Sequence, residues 1–416
     1  MEQLRIAVLV DLPRDHAAGG HVKYWERIAQ AAVESEPAVD LTIYFSGSKT
    51  EEQLSPHTRY RYLPPVFSTE KLKFLPYVPA HTDLAPFHQK LAEEIVNYDV
   101  IHTTEGCFAF SRTAESIAKW SRIPLVTSFH TDTPAYAEVF TRQTVEHIFG
   151  KKFGAWLDKI FKLSARERAS KTKRLKTHLR QCSAILAMRE EDILLTLSVT
   201  TKDKIKPMRL GVDKDLFTPY KHDRAGIEKE YGVAPGKLVI LFVGRVDAGK
   251  NIDRLTDACV MALRRGLNIH LIVAGLGPLS EQVKAKLESN VTLAGMLGPQ
   301  ELARLYASVD CLAIASDIEI GGMIGLEAVA CGCPVLVSRQ SGMFQACGKP
   351  HSMLMIESSV EAWAQALVDF SHDTEKQKQM REAALICRES HVAGWNEVLN
   401  QDFIPVWQTV AKKKDI

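Results

Sequence analysis

Along this chain, short and nearly unbroken apolar runs alternate with longer stretches in which apolar residues return every three or four positions. The runs fall at 5–10, 41–45, 99–102, 124–128 and 184–187 in the first half, and at 238–243, 269–274, 291–297, 334–337 and 352–356 in the second. A run apolar on successive positions suits a strand covered on both faces, as in a parallel sheet between helices. Helical spacing begins near His21, where Val22, Trp25, Ile28, Ala29 and Ala32 share a face, and recurs at 84–97, 110–120 and 189–197. It returns from about Ile252, over 359–371 and 374–387, and from near Trp395. Strands alternating with helices predict an α/β protein with doubly wound parallel sheets. A turn-rich crossing over 206–219 separates the two halves.

Composition narrows the class. With 416 residues, 46% of them hydrophobic, the chain is long enough for two full cores. Charged residues make up 25%, and no apolar run approaches a membrane span, so a soluble globular protein is expected. The N-terminus runs directly into a strand without the layout of a signal peptide, which argues against secretion. The eight cysteines are scattered, with no Cys-x-x-Cys pair and no histidine cluster beside Cys331 and Cys333. They read as reduced, mostly buried thiols of a cytosolic protein.

Ligands of such sheets gather at the carboxyl ends of the strands, and the chemistry-bearing residues of this sequence stand there. Gly19-Gly20 opens the first helix, as in an anion-binding turn or simply a tight one. His102-Thr-Thr-Glu105-Gly106 and the 128–136 loop, with His130, Asp132 and Tyr136, follow two other strands. Glu105 reads as a solvated loop residue or an acceptor contact. In the second half, Arg245 and Lys250 share one strand-to-helix loop, where a planar fork and a point charge suit a diphosphate. Asp247 and Asp253 beside them read as capping or solvated groups, and no Asp-x-Asp metal motif accompanies them. Over 316–338, Glu319 and Glu327 flank a glycine-rich turn containing Gly321, Gly322 and Gly325, ahead of a short apolar helix. Ionised carboxylates accept sugar hydroxyls strongly and with direction. The plainer reading is one capping and one solvated glutamate.

The 316–338 stretch resembles the nucleotide-sugar signature of retaining glycosyltransferase family 4. That resemblance implies a GT-B fold, with two Rossmann-like domains facing a cleft. It implies an acceptor domain over 1–212, rejoined by a terminal helix over 395–416, and a donor domain over 213–394. By the same resemblance Glu319 would hold donor-sugar hydroxyls and Glu327 the ribose, beside the backbone of Gly322, Met323 and Ile324. Gly244, Arg245 and Lys250 would hold the diphosphate, and the loop of Met296 would lie against the base. Gly20 would line the cleft from the N-domain. His130 would stand nearest the chemistry, with Asp132 and Tyr136 toward the acceptor. The catalytic set implied is His130, Arg245, Lys250 and Glu319, with no metal and no cofactor beyond the nucleotide sugar. Gly321 stands where the family commonly carries an aromatic residue, and Gly249 where glutamate is frequent.

Charge adds one feature. Residues 151–180 hold eleven basic residues against two acidic ones, a local charge of +9 in a chain that nets only +2. Phe153, Trp156, Leu157, Ile160, Phe161 and Leu163 are interleaved. A basic helix with an apolar face reads as an element that lies on an anionic membrane; a solvated face or a nucleic-acid surface has the same composition. The expected protein is therefore a hexosyltransferase using a UDP- or GDP-sugar and no nucleic acid. It would act on a lipid or lipid-linked glycan, peripheral on the cytoplasmic face of the inner membrane. A soluble sugar acceptor, a GT-B sugar-nucleotide epimerase and an inactive nucleotide-binding scaffold are the rivals.

Overall fold

The computed structural model describes residues 3–14, 19–35, 39–69, 83–317, 322–341 and 350–412. The chain divides into two compact units: 1–209 together with 395–416, and 210–394.

The first unit is built on strands β1 (Leu4–Pro13), β2 (Val39–Ser46), β3 (Glu51–Ser55), β4 (Thr58–Leu63), β5 (Val100–Thr103), β6 (Leu125–Ser128), β7 (Ala184–Ala187) and β8 (Ile205–Pro207). Among the described residues these form one sheet in the order β3-β4-β2-β1-β5-β6-β7-β8. All neighbours are parallel except the β3-β4 hairpin. The apolar runs account for the central strands, since Ile6 to Val10 are at most 1% exposed. The hairpin was not expected. Its signal is the two-residue alternation of β4, where Thr58, Tyr60 and Tyr62 are buried while Arg59 and Arg61 reach carboxylates.

The helix expected over 84–97 spans only Gln89–Ile95, and two further expectations change. The 128–136 stretch is only partly a loop, because a helix starts at Thr133 and runs to Phe149, capped by Asp132 accepting the Ala135 N–H. The basic segment is two helices, Lys151–Phe161 and Leu163–Gln181, joined at Lys162 in a left-handed conformation. The break has a visible cause: buried Asp158 turns its carboxylate onto both the backbone N–H and the hydroxyl of Ser164. The second helix is fastened from below, with His178 fully buried between Glu115 and Thr103.

The second unit holds β9 (Leu238–Val243), β10 (Ile269–Ala274), β11 (Val291–Gly295), β12 (Cys311–Ile314), β13 (Val335–Ser338) and β14 (Met353–Ile356). They form a parallel sheet in the order β11-β10-β9-β12-β13-β14. Its core packs Ile240, Phe242, Leu271 and Val273 against Leu255, Trp363 and Leu367 of the covering helices. In each sheet the strand order reverses beside the first long strand, between β1 and β5 and between β9 and β12. Such reversal points open a crevice at the carboxyl ends of the strands, the usual ligand site of a doubly wound sheet.

Candidate active site

In the second unit the crevice is shaped by backbone contact. Gly244 leaves β9 at φ +141°, and the following loop lies directly on the loop after β10. A Cβ on Gly275 would come within 1.9 Å of the Gly244 carbonyl oxygen, and one on Gly277 within 2.3 Å of the Val246 oxygen. Hydrogen bonds from Gly244 N to Ala274 O and from Val246 N to Leu276 O lace the two loops together. On this shelf Arg245 extends outward, its side chain 81% exposed and paired with Asp247. Asp247 also caps the turn Ala248–Lys250 by accepting the Lys250 N–H. Lys250 is half-buried, and its stem passes about 3.9 Å from where a Gly244 Cβ would be. Leu276 and Met296, 60% and 63% exposed, follow two glycines that pair across this edge, Gly275 and Gly295.

On the other side of β9, the segment after β12 meets the cationic loop. Ser316 Oγ donates to Gly249 O, and Asn251 and Arg254 donate to Ala315 O. Asp317 ties the corner by accepting from Arg254, Asn251, Ser338 and Ser358. Burial opposes the charge on its carboxyl, but these donors outweigh burial and hold the group below the usual carboxylate range. Glu319 and Gly321 lie outside the described residues. Gly322, with a left-handed backbone (φ +54°), opens the helix Met323–Ala330. Met323, Ile324 and Glu327 are all half-buried on that helix. The Glu327 carboxylate lies near the buried Tyr306 phenol, whose ionisation is pushed up first by burial and then by that charge.

In the first unit the crevice holds a cluster of imidazoles. His21, in the first turn of helix Gly20–Ser35, stacks on His130 with ring centres 4.7 Å apart and planes within 5°. Gly20 itself is exposed. Tyr24 and Trp25 pack edgewise or tilted on His130 from the same helix. Ser128 Oγ lies 2.8 Å from both His130 Nε2 and His102 Nε2, and Trp407 Nε1 donates to His102 Nδ1 at 3.0 Å. Burial pushes His21 and His102 down to about 3 and His130 well below the usual imidazole range, so all three are neutral near pH 7. His21 and Trp407 are partners the sequence reading missed. His21 had a local signal, its place directly after Gly19-Gly20, whereas Trp407 had none.

The remaining candidates take structural contacts. Asp132 is the cap described above and stands 3.8 Å from Arg189. Tyr136 stacks on Phe140 along the outer part of the same helix. Glu105 is not a solvated loop residue, because it accepts the N–H groups of Cys107 and Phe108 and the Ser111 hydroxyl at the start of helix Ala109–Ser121.

The basic helices divide by function of their side chains. Ile148, Phe149, Phe153, Trp156, Ile160 and Phe161 are each about half exposed, with Phe153 and Trp156 stacked. Lys151, Lys152, Lys159, Lys162 and Arg166 are exposed around them. Further along, Lys171 sits over Phe108 and Arg174 pairs with Glu115, so those cations serve the fold. Among the described residues no helix is long and apolar enough to cross a membrane.

Two parallel-sheet α/β units of this kind define the GT-B fold. Solved structures that share it include a sucrose-phosphate synthase from Thermosynechococcus elongatus (TM-score 0.70, 18% identity, 99% of this chain and 100% of that one). Anabaena HepE, solved in complex with UDP and glucose, has a TM-score of 0.63 at 15% identity over 99% and 100% of the two chains. Within the second unit, residues 223–385 match the model of the family Glycosyl transferases group 1. A D-inositol 3-phosphate glycosyltransferase of Segniliparus rotundus is 30% identical over 192 residues, 44% of this chain and 42% of that protein. The chain thus spans less than half the length of the curated relatives it first matches.

Proposed function

We propose that this protein is a retaining glycosyltransferase of family 4 that moves a hexose from a UDP- or GDP-sugar to a hydroxyl of a lipid or lipid-linked glycan. The observation carrying this reading is the meeting of the Gly244–Lys250 loop with the segment after β12 at the sheet's reversal point. Arg245 and Lys250 then neutralise the diphosphate as it leaves, which is where negative charge develops. Glu319 holds the sugar and Glu327 the ribose, the backbone of Gly322, Met323 and Ile324 lies along the donor, and Met296 lies by the base. His130 stands by the reacting sugar, Gly20 beside it, and Asp132 and Tyr136 face the acceptor. No side chain is assigned as a covalent nucleophile. The acceptor oxygen bonds to the anomeric carbon on the face the diphosphate leaves, and the acceptor proton passes to a departing phosphate oxygen.

A panel of UDP- and GDP-sugars tests the site. A matching donor at about 100 times its Kd stabilises by about 2.7 kcal/mol and raises Tm. Arg245→Ala and Lys250→Ala should each weaken that donor about tenfold or more, the cost of one charge-assisted hydrogen bond. Donor binding unchanged in both variants would place the diphosphate elsewhere. Product analysis without acceptor separates transfer from epimerisation.

The exposed apolar and basic face over 148–166 supports an acceptor at an anionic membrane on the cytoplasmic side. Each cation near such a surface contributes about 1 kcal/mol, screened by salt. Vesicles containing phosphatidylglycerol should retain the protein and those of phosphatidylcholine should not. Replacing Phe153 and Trp156 with alanine should release it. The names of the relatives favour a second reading, a soluble inositol-phosphate acceptor. Transfer to free D-inositol 3-phosphate without any need for vesicles would select it.

A further inference from the structure

The imidazole cluster contains a directed chain of hydrogen bonds. An indole N–H only donates, so His102 Nδ1, 3.0 Å from Trp407 Nε1, must be unprotonated. Burial keeps His102 neutral, so its one proton sits on Nε2 and is donated to Ser128 Oγ. Ser128 is 2% exposed, and among the described residues its hydroxyl meets only the two imidazoles. A buried hydroxyl accepting from both rings would strand its own proton, an outcome folded proteins avoid. Ser128 therefore donates to His130 Nε2. With that nitrogen accepting, neutral His130 carries its proton on Nδ1, for which no protein acceptor is found among the described residues.

The C-terminal helix is shaped to deliver the first donor of this chain. Between Trp395–Val398 and Ile404–Lys412 it widens into one π-helical turn, Leu399–Phe403. Phe403 packs against His102, Trp25 and Trp407, while Trp407 is fully buried. Single π-turns inside α-helices are frequent at functional sites.

We propose that Trp407, His102 and Ser128 are positioning residues that lock His130 in its Nδ1–H tautomer, making it a fixed hydrogen-bond donor to an oxygen of the nucleotide sugar. In that state the ring cannot take a proton at Nδ1, so it is not the base that deprotonates the acceptor. The ligand it recognises is an electron-rich sugar oxygen. This assignment rests on the reading above that His130 stands beside the transferred hexose.

The tautomer is read directly in the full chain without ligand. Long-range proton–nitrogen correlation spectra of histidine-labelled protein at pH 7 should show His130 with Nδ1 protonated and Nε2 bare. His102 should show the opposite pattern. Ser128→Ala and Trp407→Phe should turn the His130 signal into a mixture of tautomers. In transfer assays Ser128→Ala should lower kcat with little change in donor KM. His130→Asn, whose amide nitrogen overlays Nδ1, should retain far more activity than His130→Ala, which should lose about 100-fold, as when one preorganised donor is removed. A wild-type His130 that carries its proton on Nε2, or equal losses in the two His130 variants, overturns the proposal. A pinned Nδ1–H tautomer in a protein that transfers no sugar from any donor instead overturns the glycosyltransferase reading and leaves the relay standing.

Discussion

Two fully buried histidines of the first unit are opposites in charge. His102 is neutral because burial outweighs everything near it, and it is pushed down to about 3. His178 is also desolvated, yet the Cys182 sulfur and the Glu115 carboxylate, the latter 2.7 Å away, reverse that and push it up to about 10. The consequences for stability have opposite signs. Below an unfolded pKa of about 6.5 the unfolded chain binds a proton that His102 refuses, so stability falls as pH drops toward 3, by about 1.4 kcal/mol per pH unit. Above about 6.5 the folded chain retains a proton on His178 that the unfolded chain releases, so the stability from His178 is complete below 6.5 and fades as pH rises toward 10. Urea midpoints measured from pH 7 to 9.5 should decline in the wild type and decline less in His178→Gln. Equal slopes would mean that His178 is not charged in the fold. At this scale the sequence was readable where a residue follows a strand, as His130 does. It was silent on Trp407, which meets His102 from 305 residues away.

Among elements, the central strands were legible because burial on both faces leaves an unbroken apolar run. Elements fixed by a local contact were not. Nothing in the composition of 151–180 announces that Asp158 captures Ser164 and splits the helix. Close backbone approach is similarly hidden until the glycines are placed. Gly154 lets the helix Lys151–Phe161 lie on Thr133–Phe149, since a Cβ there would meet the Glu146 backbone at 2.6 Å. Gly154→Ala should pry the aromatic face from its support and weaken vesicle retention while leaving donor binding intact. Gly275→Ala should be severe, because it combines a 1.9 Å clash with a backbone at φ +151°. We expect a loss of about 3 kcal/mol or more, seen as a lower urea midpoint, together with loss of donor binding.

At the scale of the whole molecule, the alternation of strands and helices carried the fold class. Site legibility followed from it, since reversal points are set by strand order. The hairpin of β3 and β4 was opaque because its strands are short and half-polar, held by Arg59 to Asp40 and Arg61 to Glu94 rather than by an apolar stripe. The first unit is discontinuous in sequence. It leaves at Arg209, whose guanidinium and backbone N–H bind Asp402, and it is completed by Trp395–Lys412. Domains commonly fold in order of synthesis. Here the order is inverted: the ribosome finishes the contiguous 210–394 unit while the older half still lacks its last helix. Nascent chains arrested just after residue 394 should therefore yield a protease-resistant later unit and a digestible earlier one, and the released chain should protect both.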